Sequence, residues 1–338
     1  MNGKLYVSES ANNRVLRFAW PVTTNQPTAE LVFGQPDFVS GTANNGGRSA
    51  TSLNYPFDVA VDSASRLWVS DYSNRRVLRY DGAASATING TSASAVLGQA
   101  NFAASVFASV DQFTLRSPEG LSVDTSGTLW VVDSTSNRVV RWNNAAAKAN
   151  GAAMDGVLGQ GSLFTNAAGS DAASVFGPYD VCAANGTLWV ADGGHSRVLR
   201  FDNYAAKANG ASADGVVGQA NFADSAYACT ATGMRNPTGV AQDGDGRLYV
   251  TDSAASRVTV FNNAASLANG PPANSVLGQA TFTAGSSSNT AVNLNGPFSV
   301  AVDNTSGRVA VADGSNNRVV IYQASTPLPV AVSTVGVE

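Results

Sequence analysis

Residues 129–142 read LWVVDSTSNRVVRW: a short apolar strand, an acid, four small polar residues, an arginine and a second apolar strand. This pattern occurs six times, and its arginine recurs every 59 to 62 residues. The acid always lies five residues before the arginine. The pairs are Glu9–Arg14, Asp71–Arg76, Asp133–Arg138, Asp192–Arg197, Asp252–Arg257 and Asp313–Arg318. A long repeat that consists of strands predicts blades around an axis.

Each full repeat predicts a blade of four antiparallel strands. The first strand follows a proline, as in PFDVAVD from Pro56, and the second ends at the acid. The third strand begins at the arginine, and the fourth ends in a Gly-Gln pair such as Gly98-Gln99. Period-two alternation of apolar residues supports these strands. The repeat cores are predicted near residues 5–18, 56–80, 118–142, 178–201, 237–261 and 297–322.

The acid, the loop and the Arg-Val-aromatic strand, following a Pro-x-x-Val-Ala-Val strand, resemble the NHL repeat over the whole chain. The resemblance implies an all-β fold, a six-bladed β-propeller built from NHL-like repeats. Two departures occur: Glu9 replaces aspartate in the first copy, and the histidine that the family has after the loop asparagine is represented by His195 alone.

The ends of the chain pose the problem of closure. The first copy lacks its first strand, and PLPVAV, from Pro327, fits the Pro-x-x-Val-Ala-Val template. We therefore predict one propeller over residues 1–333, in which residues 327–333 pair with the N-terminal segment, followed by a tail at 334–338. This closure would remove an exposed sheet edge. The alternative places Thr334-Val335-Gly336 as the fourth strand of blade six.

Composition restricts the partners. The net charge is −4 and the isoelectric point is about 5.0, so no basic surface for nucleic acid is expected. No apolar run is long enough to insert into a membrane. A surface rich in alanine, serine, asparagine, glycine and threonine is typical of secreted bacterial proteins, and we predict an extracellular or cell-surface location. No signal peptide precedes the strand at Leu5, so export would need an upstream segment. Cys182 and Cys229 are predicted to be unpaired thiols.

The six acid–arginine pairs could form a binding ring, but their regularity favours a structural role. A pair at fixed spacing across a turn between strands most simply bridges that turn. The repeated glutamines are predicted to satisfy backbone groups where the fourth strand ends.

The best candidate site is a funnel formed by the residues that follow each proline, at the mouth of the central channel. It has no dense carboxylate cluster, and a zinc site of three histidines cannot form because His195 is the only histidine. We predict no metal and no cofactor, with a structural cation at the channel as the alternative. The funnel residues are Phe57, Asp58, Glu119, Tyr179, Asp180, Thr238 and Phe298.

Two classes of function are consistent with these residues. The favoured one is a non-catalytic scaffold that binds a protein, a surface polysaccharide or another domain of a longer parent chain. It would use the variable loops on one face, with Phe107, Phe113, Phe176 and Tyr227 as apolar anchors. These loops span residues 38–55, 102–117, 163–177, 222–236 and 282–296.

The alternative is an enzyme, either a lyase or a lactonase-type hydrolase, that uses the central funnel. Its acid and base would come from Glu119, Asp180, Tyr179 and His195. The two readings differ in whether these side chains converge on one cavity.

Overall fold

The computed structural model describes residues 3–323 and the backbone of residues 332–336. Its strands form six antiparallel sheets, and every helix in this part of the chain is a three-residue 3-10 turn. The prediction of an all-β, six-bladed β-propeller is confirmed.

In blades two to five the four strands follow the predicted order, and the described residues of blade one form a three-stranded sheet. Blades one to three contain Lys4–Glu9 (β1), Arg14–Ala19 (β2), Leu31–Phe33 (β3); Pro56–Val61 (β4), Leu67–Asp71 (β5), Arg76–Tyr80 (β6), Ala95–Leu97 (β7); Pro118–Val123 (β8), Leu129–Asp133 (β9), Arg138–Trp142 (β10) and Gly156–Leu158 (β11). Blades four to six contain Pro178–Ala184 (β12), Thr187–Asp192 (β13), Arg197–Asp202 (β14), Gly215–Val217 (β15); Pro237–Gln242 (β16), Leu248–Asp252 (β17), Arg257–Phe261 (β18), Ser275–Leu277 (β19); Pro297–Asp303 (β20), Arg308–Asp313 (β21), Arg318–Gln323 (β22) and Val332–Gly336 (β23).

A 3-10 turn joins the second and third strands of each blade. The residue after each turn adopts the left-handed conformation, and in five of the six blades it is asparagine or serine. These turns are Ser10–Asn12, Tyr72–Asn74, Ser134–Ser136, Gly193–His195, Ser253–Ala255 and Gly314–Asn316. Three similar turns follow the third strand, at Ala145–Ala147, Tyr204–Ala206 and Ala264–Ser266.

The C-terminal strand differs from the expected closure. β23 pairs with β22, with Thr334 opposite Val320, so it is the fourth strand of blade six. The prediction that residues 327–333 form the first strand of blade one is therefore wrong for residues 332 and 333. Residues 327–331 lie outside the described residues. The alternative alignment is confirmed, since the pairing covers the edge of β22 that would otherwise stay open.

The chain divides into two compact units. One unit comprises residues 1–23 and 28–167 and contains blades one to three. The other comprises residues 24–27 and 168–338 and contains blades four to six. Within each unit the core fills the space between adjacent blades. In the first unit, for example, Trp68 of blade two packs in one cluster with Leu121 and Val131 of blade three. Strands that are apolar on both faces are expected where sheets stack on both sides.

Arginines of the third strands also connect neighbouring blades. The Arg79 guanidinium, on β6, donates to the carbonyl oxygen of Ala146 in the next blade at 2.5 Å. Arg200, on β14, makes the equivalent bond to Leu267 at 2.9 Å. The same position is therefore used to join adjacent blades in both units.

Candidate functional site

The acid–arginine pairs are buried ion pairs that cross the turn between the second and third strands. Arg76 Nε lies 2.7 Å from an Asp71 carboxylate oxygen, and neither side chain is exposed to solvent. Blades three, four and five repeat this geometry, and in blade six the arginine side chain is 13% exposed. A buried pair is favourable when further hydrogen bonds satisfy both partners.

The remaining hydrogen bonds of each arginine go to the long loops. Arg138 donates to the carbonyl oxygens of Asp111 and Thr114, in the loop before blade three, at 2.9 and 3.0 Å. It also donates to Leu163, in the loop after that blade, at 2.8 Å. One side chain therefore holds two successive loops. Equivalent loop bonds are made by Arg14, Arg76, Arg197, Arg257 and Arg318.

The repeated glutamines also form hydrogen bonds to these loops. Gln160 Nε2 donates to the carbonyl oxygen of Asn137, the left-handed residue before Arg138, at 2.8 Å. It also donates to Ala167, seven residues further along the chain, at 2.7 Å. Both contacts recur for Gln35, Gln99, Gln219 and Gln279.

Sequence reasoning missed one residue of this arrangement. The carbonyl group three residues after each glutamine accepts a hydrogen bond from the blade's arginine. The residue is phenylalanine in four copies, so the pattern Gly-Gln-x-x-Phe was visible in the sequence. The residues are Phe38, Phe102, Leu163, Phe222 and Phe282.

The predicted funnel residues lie at a register shift in the first strand of each blade. In blade four, for example, Pro178 pairs with Asp192 and Asp180 pairs with Ala191, so Tyr179 is the extra residue. The equivalent shifts follow Pro56, Pro118, Pro237 and Pro297. β-Bulges turn a side chain away from the ladder and are frequent near functional sites.

Two funnel aspartates bond to the backbone of the next blade. An Asp58 carboxylate oxygen accepts a hydrogen bond from the Leu121 amide at 3.0 Å. Asp180 accepts one from the Val240 amide at 2.9 Å. The residue before each of these amides is glycine, and a Cβ on Gly239 would lie 2.7 Å from Thr251 Oγ1. In both cases, therefore, an aspartate of one blade bonds to the amide that follows a glycine in the next blade.

The other funnel residues of the second unit make ring contacts or hydrogen bonds within that unit. The rings of Tyr179 and Phe298 meet edge to face with centroids 6.0 Å apart, although their blades are not adjacent. Thr238, from the blade between them, is buried and shares a hydrogen bond with Thr251 at 3.1 Å. In the first unit, Phe57 stacks on Tyr72, with centroids 5.9 Å apart.

Glu119 is the most unusual acid of the described chain. It is buried, its Oε1 accepts a hydrogen bond from Ser134 Oγ at 2.6 Å, and its Oε2 has no partner among the described residues. Burial raises its pKa to about 8, since the charged form loses its hydration. Burial also raises the pKa of Asp58, to about 6.

The four residues proposed for catalysis take different partners. His195 Nδ1 lies 3.0 Å from an Asp192 carboxylate oxygen, and its ring packs against Phe176. Asp180 bonds to the amides of Val181 and Val240. Glu119 belongs to the first unit and Tyr179 to the second.

The described residues offer few features that point to a metal site or a membrane. They contain no group of three or more histidine, cysteine, aspartate or glutamate side chains that could hold a metal ion. A structural cation at the channel therefore stays a prediction. Both cysteines are unpaired. None of the described helices is long and apolar enough to cross a membrane.

Exposed apolar side chains concentrate in the predicted variable loops. Among the described residues, twelve large apolar side chains are exposed, and ten of them lie in these loops. The ten are Phe38, Val39, Tyr55, Val106, Phe107, Phe113, Phe164, Phe176, Tyr227 and Val292. The register shows that every loop leaves a blade at the end where the acid–arginine turn lies.

Comparison with known proteins agrees with this architecture. The NHL repeat family matches residues 115–142, 234–261 and 294–322. No curated protein sequence matches the chain significantly. The fold defines the class, a six-bladed β-propeller. The repeats define the type within it: this chain is an NHL-repeat propeller.

Solved structures with a similar fold include bacterial lyases. A streptogramin B lyase has a TM-score of 0.55 at 9% identity, covering 100% of this chain and 81% of that one. A catalytically inactive histidine-to-alanine variant of virginiamycin B lyase from Staphylococcus aureus, with quinupristin, has a TM-score of 0.53 at 10% identity, covering 99% and 81%. The selenomethionine-substituted enzyme scores 0.50 at 10% identity, with the same coverage. At this identity the likeness concerns the fold alone.

Proposed function

We propose that this propeller is a non-catalytic binding module that contacts a protein or glycan partner through its long loops. We call the loops at residues 38–55, 102–117, 163–177, 222–236 and 282–296 the loop surface. The observation that carries this proposal is the concentration of exposed apolar side chains in these loops. Exposed apolar residues that cluster mark interaction sites more often than scattered ones do.

The hydrogen bonds of the repeats support the proposal. The loops contain no strands or helices, yet each is held by an arginine and a glutamine, and in the first four loops both side chains are almost entirely buried. A loop fixed in this way loses little conformational entropy when it binds, which favours affinity. The composition typical of secreted proteins fits a partner outside the cell.

A loop variant tests this function against a matched control. The loop variant carries Phe113→Ser, Phe164→Ser and Tyr227→Ser, and the control carries Val61→Ser and Ile88→Ser, which remove exposed apolar side chains outside the loop surface. Both are tested on a glycan array and by capture of extracellular proteins. We expect partners of the native chain to bind the loop variant at least about tenfold more weakly and the control unchanged. Equal binding by both variants would contradict the proposal.

A second function, a lyase, is favoured by Glu119 alone. A buried carboxyl group with a pKa of about 8 could donate or accept a proton at neutral pH. The single histidine counts against it, because His195 bonds to the buried Asp192 and the similar lyase is inactive without a histidine.

Turnover of quinupristin decides between the two functions. The native chain and Glu119→Gln are incubated with quinupristin, the compound present in the structure of the inactive virginiamycin B lyase. Products are followed by mass spectrometry. We expect no turnover by either protein. Turnover that disappears in Glu119→Gln would establish the lyase instead.

A further inference from the structure

One tyrosine has a backbone conformation that two other blades give to glycine. The residue before each first-strand proline is Tyr55, Ser117, Gly177, Asn236 or Gly296. Tyr55 has a φ of +55°, close to +53° for Gly177 and +56° for Gly296. A left-handed backbone is strained for a residue as bulky as tyrosine, and such strain is often retained where the side chain has a function.

The adjacent turn of blade two departs from the other turns twice. It begins with Tyr72, where the other blades have serine or glycine, and the left-handed residue that follows it is Arg75. The other blades place small polar residues at the latter position, namely Asn13, Asn137, Ser196, Ser256 and Asn317. Arg75 N donates to the Tyr72 carbonyl oxygen at 3.0 Å, so both side chains leave one tight turn.

Tyr72 is the centre of a strip of three aromatic rings. Its ring lies 5.9 Å from that of Tyr55 and 5.9 Å from that of Phe57, on which it stacks at an interplanar angle of 26°. Tyr55 is 45% exposed, so the strip is open to solvent at one end. Aromatic rings of this kind offer flat apolar faces beside a polar hydroxyl group.

Arg75 belongs to a second cluster in the same unit. The guanidinium carbons of Arg75 and Arg116 lie 5.0 and 4.2 Å from the centroid of the Phe107 ring, which is 56% exposed. Both cations therefore lie against the same exposed ring. Phe107 belongs to the 102–117 loop, and Arg75 also donates to Ser105 Oγ of that loop at 3.0 Å.

No acid neutralises these two cations among the described residues, in which neither arginine forms a salt bridge. Asp111 lies on the same loop, but its carboxylate accepts hydrogen bonds from the Phe113 and Thr114 amides. The chain as a whole carries a net charge of −4, so an uncompensated pair of arginines stands out. A carboxylate is the natural partner of a fixed guanidinium.

We propose that this part of blades two and three binds an acidic glycan in which neutral sugars alternate with uronic acids. We call it the blade-two corner; it consists of Tyr55, Phe57, Tyr72, Arg75, Phe107 and Arg116. Sugar rings stack on the aromatic strip through their apolar faces, and a uronate carboxylate bonds to the Arg75 guanidinium. The proposal rests on the binding function proposed above and assigns a ligand class to one part of the loop surface and the adjacent turn.

An acidic glycan accounts for the blade-two corner better than a nucleic acid does. Proteins that bind single strands follow the phosphates with a positively charged groove, and two arginines in an acidic chain do not form one. Alternating neutral and carboxylated sugars need a cation beside a stacking surface, and the turn that carries both Tyr72 and Arg75 supplies these two features.

The test uses a hyaluronan octasaccharide, in which glucuronate alternates with N-acetylglucosamine, and isothermal titration calorimetry. Comparison ligands are a chitin hexasaccharide, which lacks carboxylates, and an oligothymidylate. We expect the octasaccharide to bind with an affinity that falls with added salt and exceeds that of both others by at least about tenfold. Equal or tighter binding of either comparison ligand, or no binding of the octasaccharide, would overturn the proposal.

Substitutions taken from the other blades separate binding from folding. We expect Tyr55→Gly and Arg75→Asn each to weaken octasaccharide binding at least about tenfold while the melting temperature stays equal or rises, because both new residues suit a left-handed backbone. Arg235→Gln is the matched control, since Arg235 lies 5.5 Å from the Tyr227 ring in the equivalent loop of the other unit. Its binding should match that of the native chain.

The results also distinguish this proposal from the general one. If Tyr55→Gly and Arg75→Asn bind the octasaccharide normally, the blade-two corner is not the site, whatever the loop variant does. If the loop variant retains every partner while Tyr55→Gly and Arg75→Asn lose the octasaccharide, the general proposal fails for the rest of the loop surface, and binding is confined to the blade-two corner.

Discussion

Arg75 and Arg76 are consecutive in the chain and have opposite environments. Arg76 is fully buried, pairs with Asp71 and donates to loop carbonyl groups. Arg75 is half-buried, packs against an exposed phenylalanine and forms no ion pair with the described acids. The first recurs in every blade and the second in none of the others. Residues that a propeller repeats serve its architecture, and residues that break the repeat are where a specific ligand can be recognised.

The comparison explains why regularity alone is a poor guide to a binding site. Six buried ion pairs could look like a ring of charged ligands, but their atoms are used by the strands and loops of each blade. Their contribution to binding is indirect, because they fix the loops that carry the exposed side chains.

The largest expected effect comes from breaking the repeated pair. Arg138→Met should lower the free energy of unfolding by about 3–5 kcal/mol, since Asp133 would remain as a buried charge without its partner. Urea unfolding at pH 7 measures this. Arg318→Met, at the pair whose arginine is 13% exposed, should cost clearly less because water can replace the lost contact. Equal losses in the free energy of unfolding at both sites would contradict the view that burial of the arginine determines the cost of breaking the pair.

The next largest effect is expected at Gly239, which precedes the Val240 amide that bonds to Asp180 of the preceding blade. Gly239→Ala should destabilise the protein by about 1–3 kcal/mol, because the new Cβ would lie 2.9 Å from the Phe298 carbonyl oxygen and the Ser299 Cα. Thermal unfolding measures the loss. Gly244→Ala is the control, since its Cβ would meet nothing closer than 3.8 Å. If Gly239→Ala were as stable as that control, the close approach of the blades would be in doubt.

The smallest effect concerns the pH dependence of stability. Because the pKa of Glu119 rises from 4.5 to about 8 on folding, the native state binds more protons over this range and stability falls as pH rises. Glu119→Gln should remove a fall of about 1–2 kcal/mol between pH 6.5 and 8, given about 1.4 kcal/mol per unit of pKa. Urea unfolding at several pH values tests this. Parallel curves for native and variant proteins would show that Glu119 does not carry this dependence.

Much of the fold could be predicted from the residues alone. The spacing of the acid and the arginine, the proline before each first strand and the glutamine after each fourth strand predict six blades. The C-terminal strand was assigned wrongly because two short apolar segments, PLPVAV and STVGV, both have strand periodicity. The pairing of residues 332–336 with β22 depends on a free strand edge within reach, which local sequence does not encode.

The candidate site could be predicted only in part. The loop positions, several of their aromatic residues and Glu119 as a candidate acid or base were predicted from the sequence. The aromatic strip and the contacts of Arg75 and Arg116 with Phe107 were not, because they join residues 9 to 32 positions apart. Comparison of aligned copies could have found Tyr55 and Arg75, since both depart from small residues in the other blades.

The number of blades, the strand order within them and the repeated turn follow from the amino-acid sequence, because each of these depends on contacts between residues close in the chain. Tertiary structure decided which side of each repeat is buried, which strand completes blade six and where cations meet exposed rings. These outcomes depend on packing between neighbouring blades and on desolvation. Arg76 is therefore a buried structural residue, whereas Arg75, the residue before it, is a candidate for ligand binding.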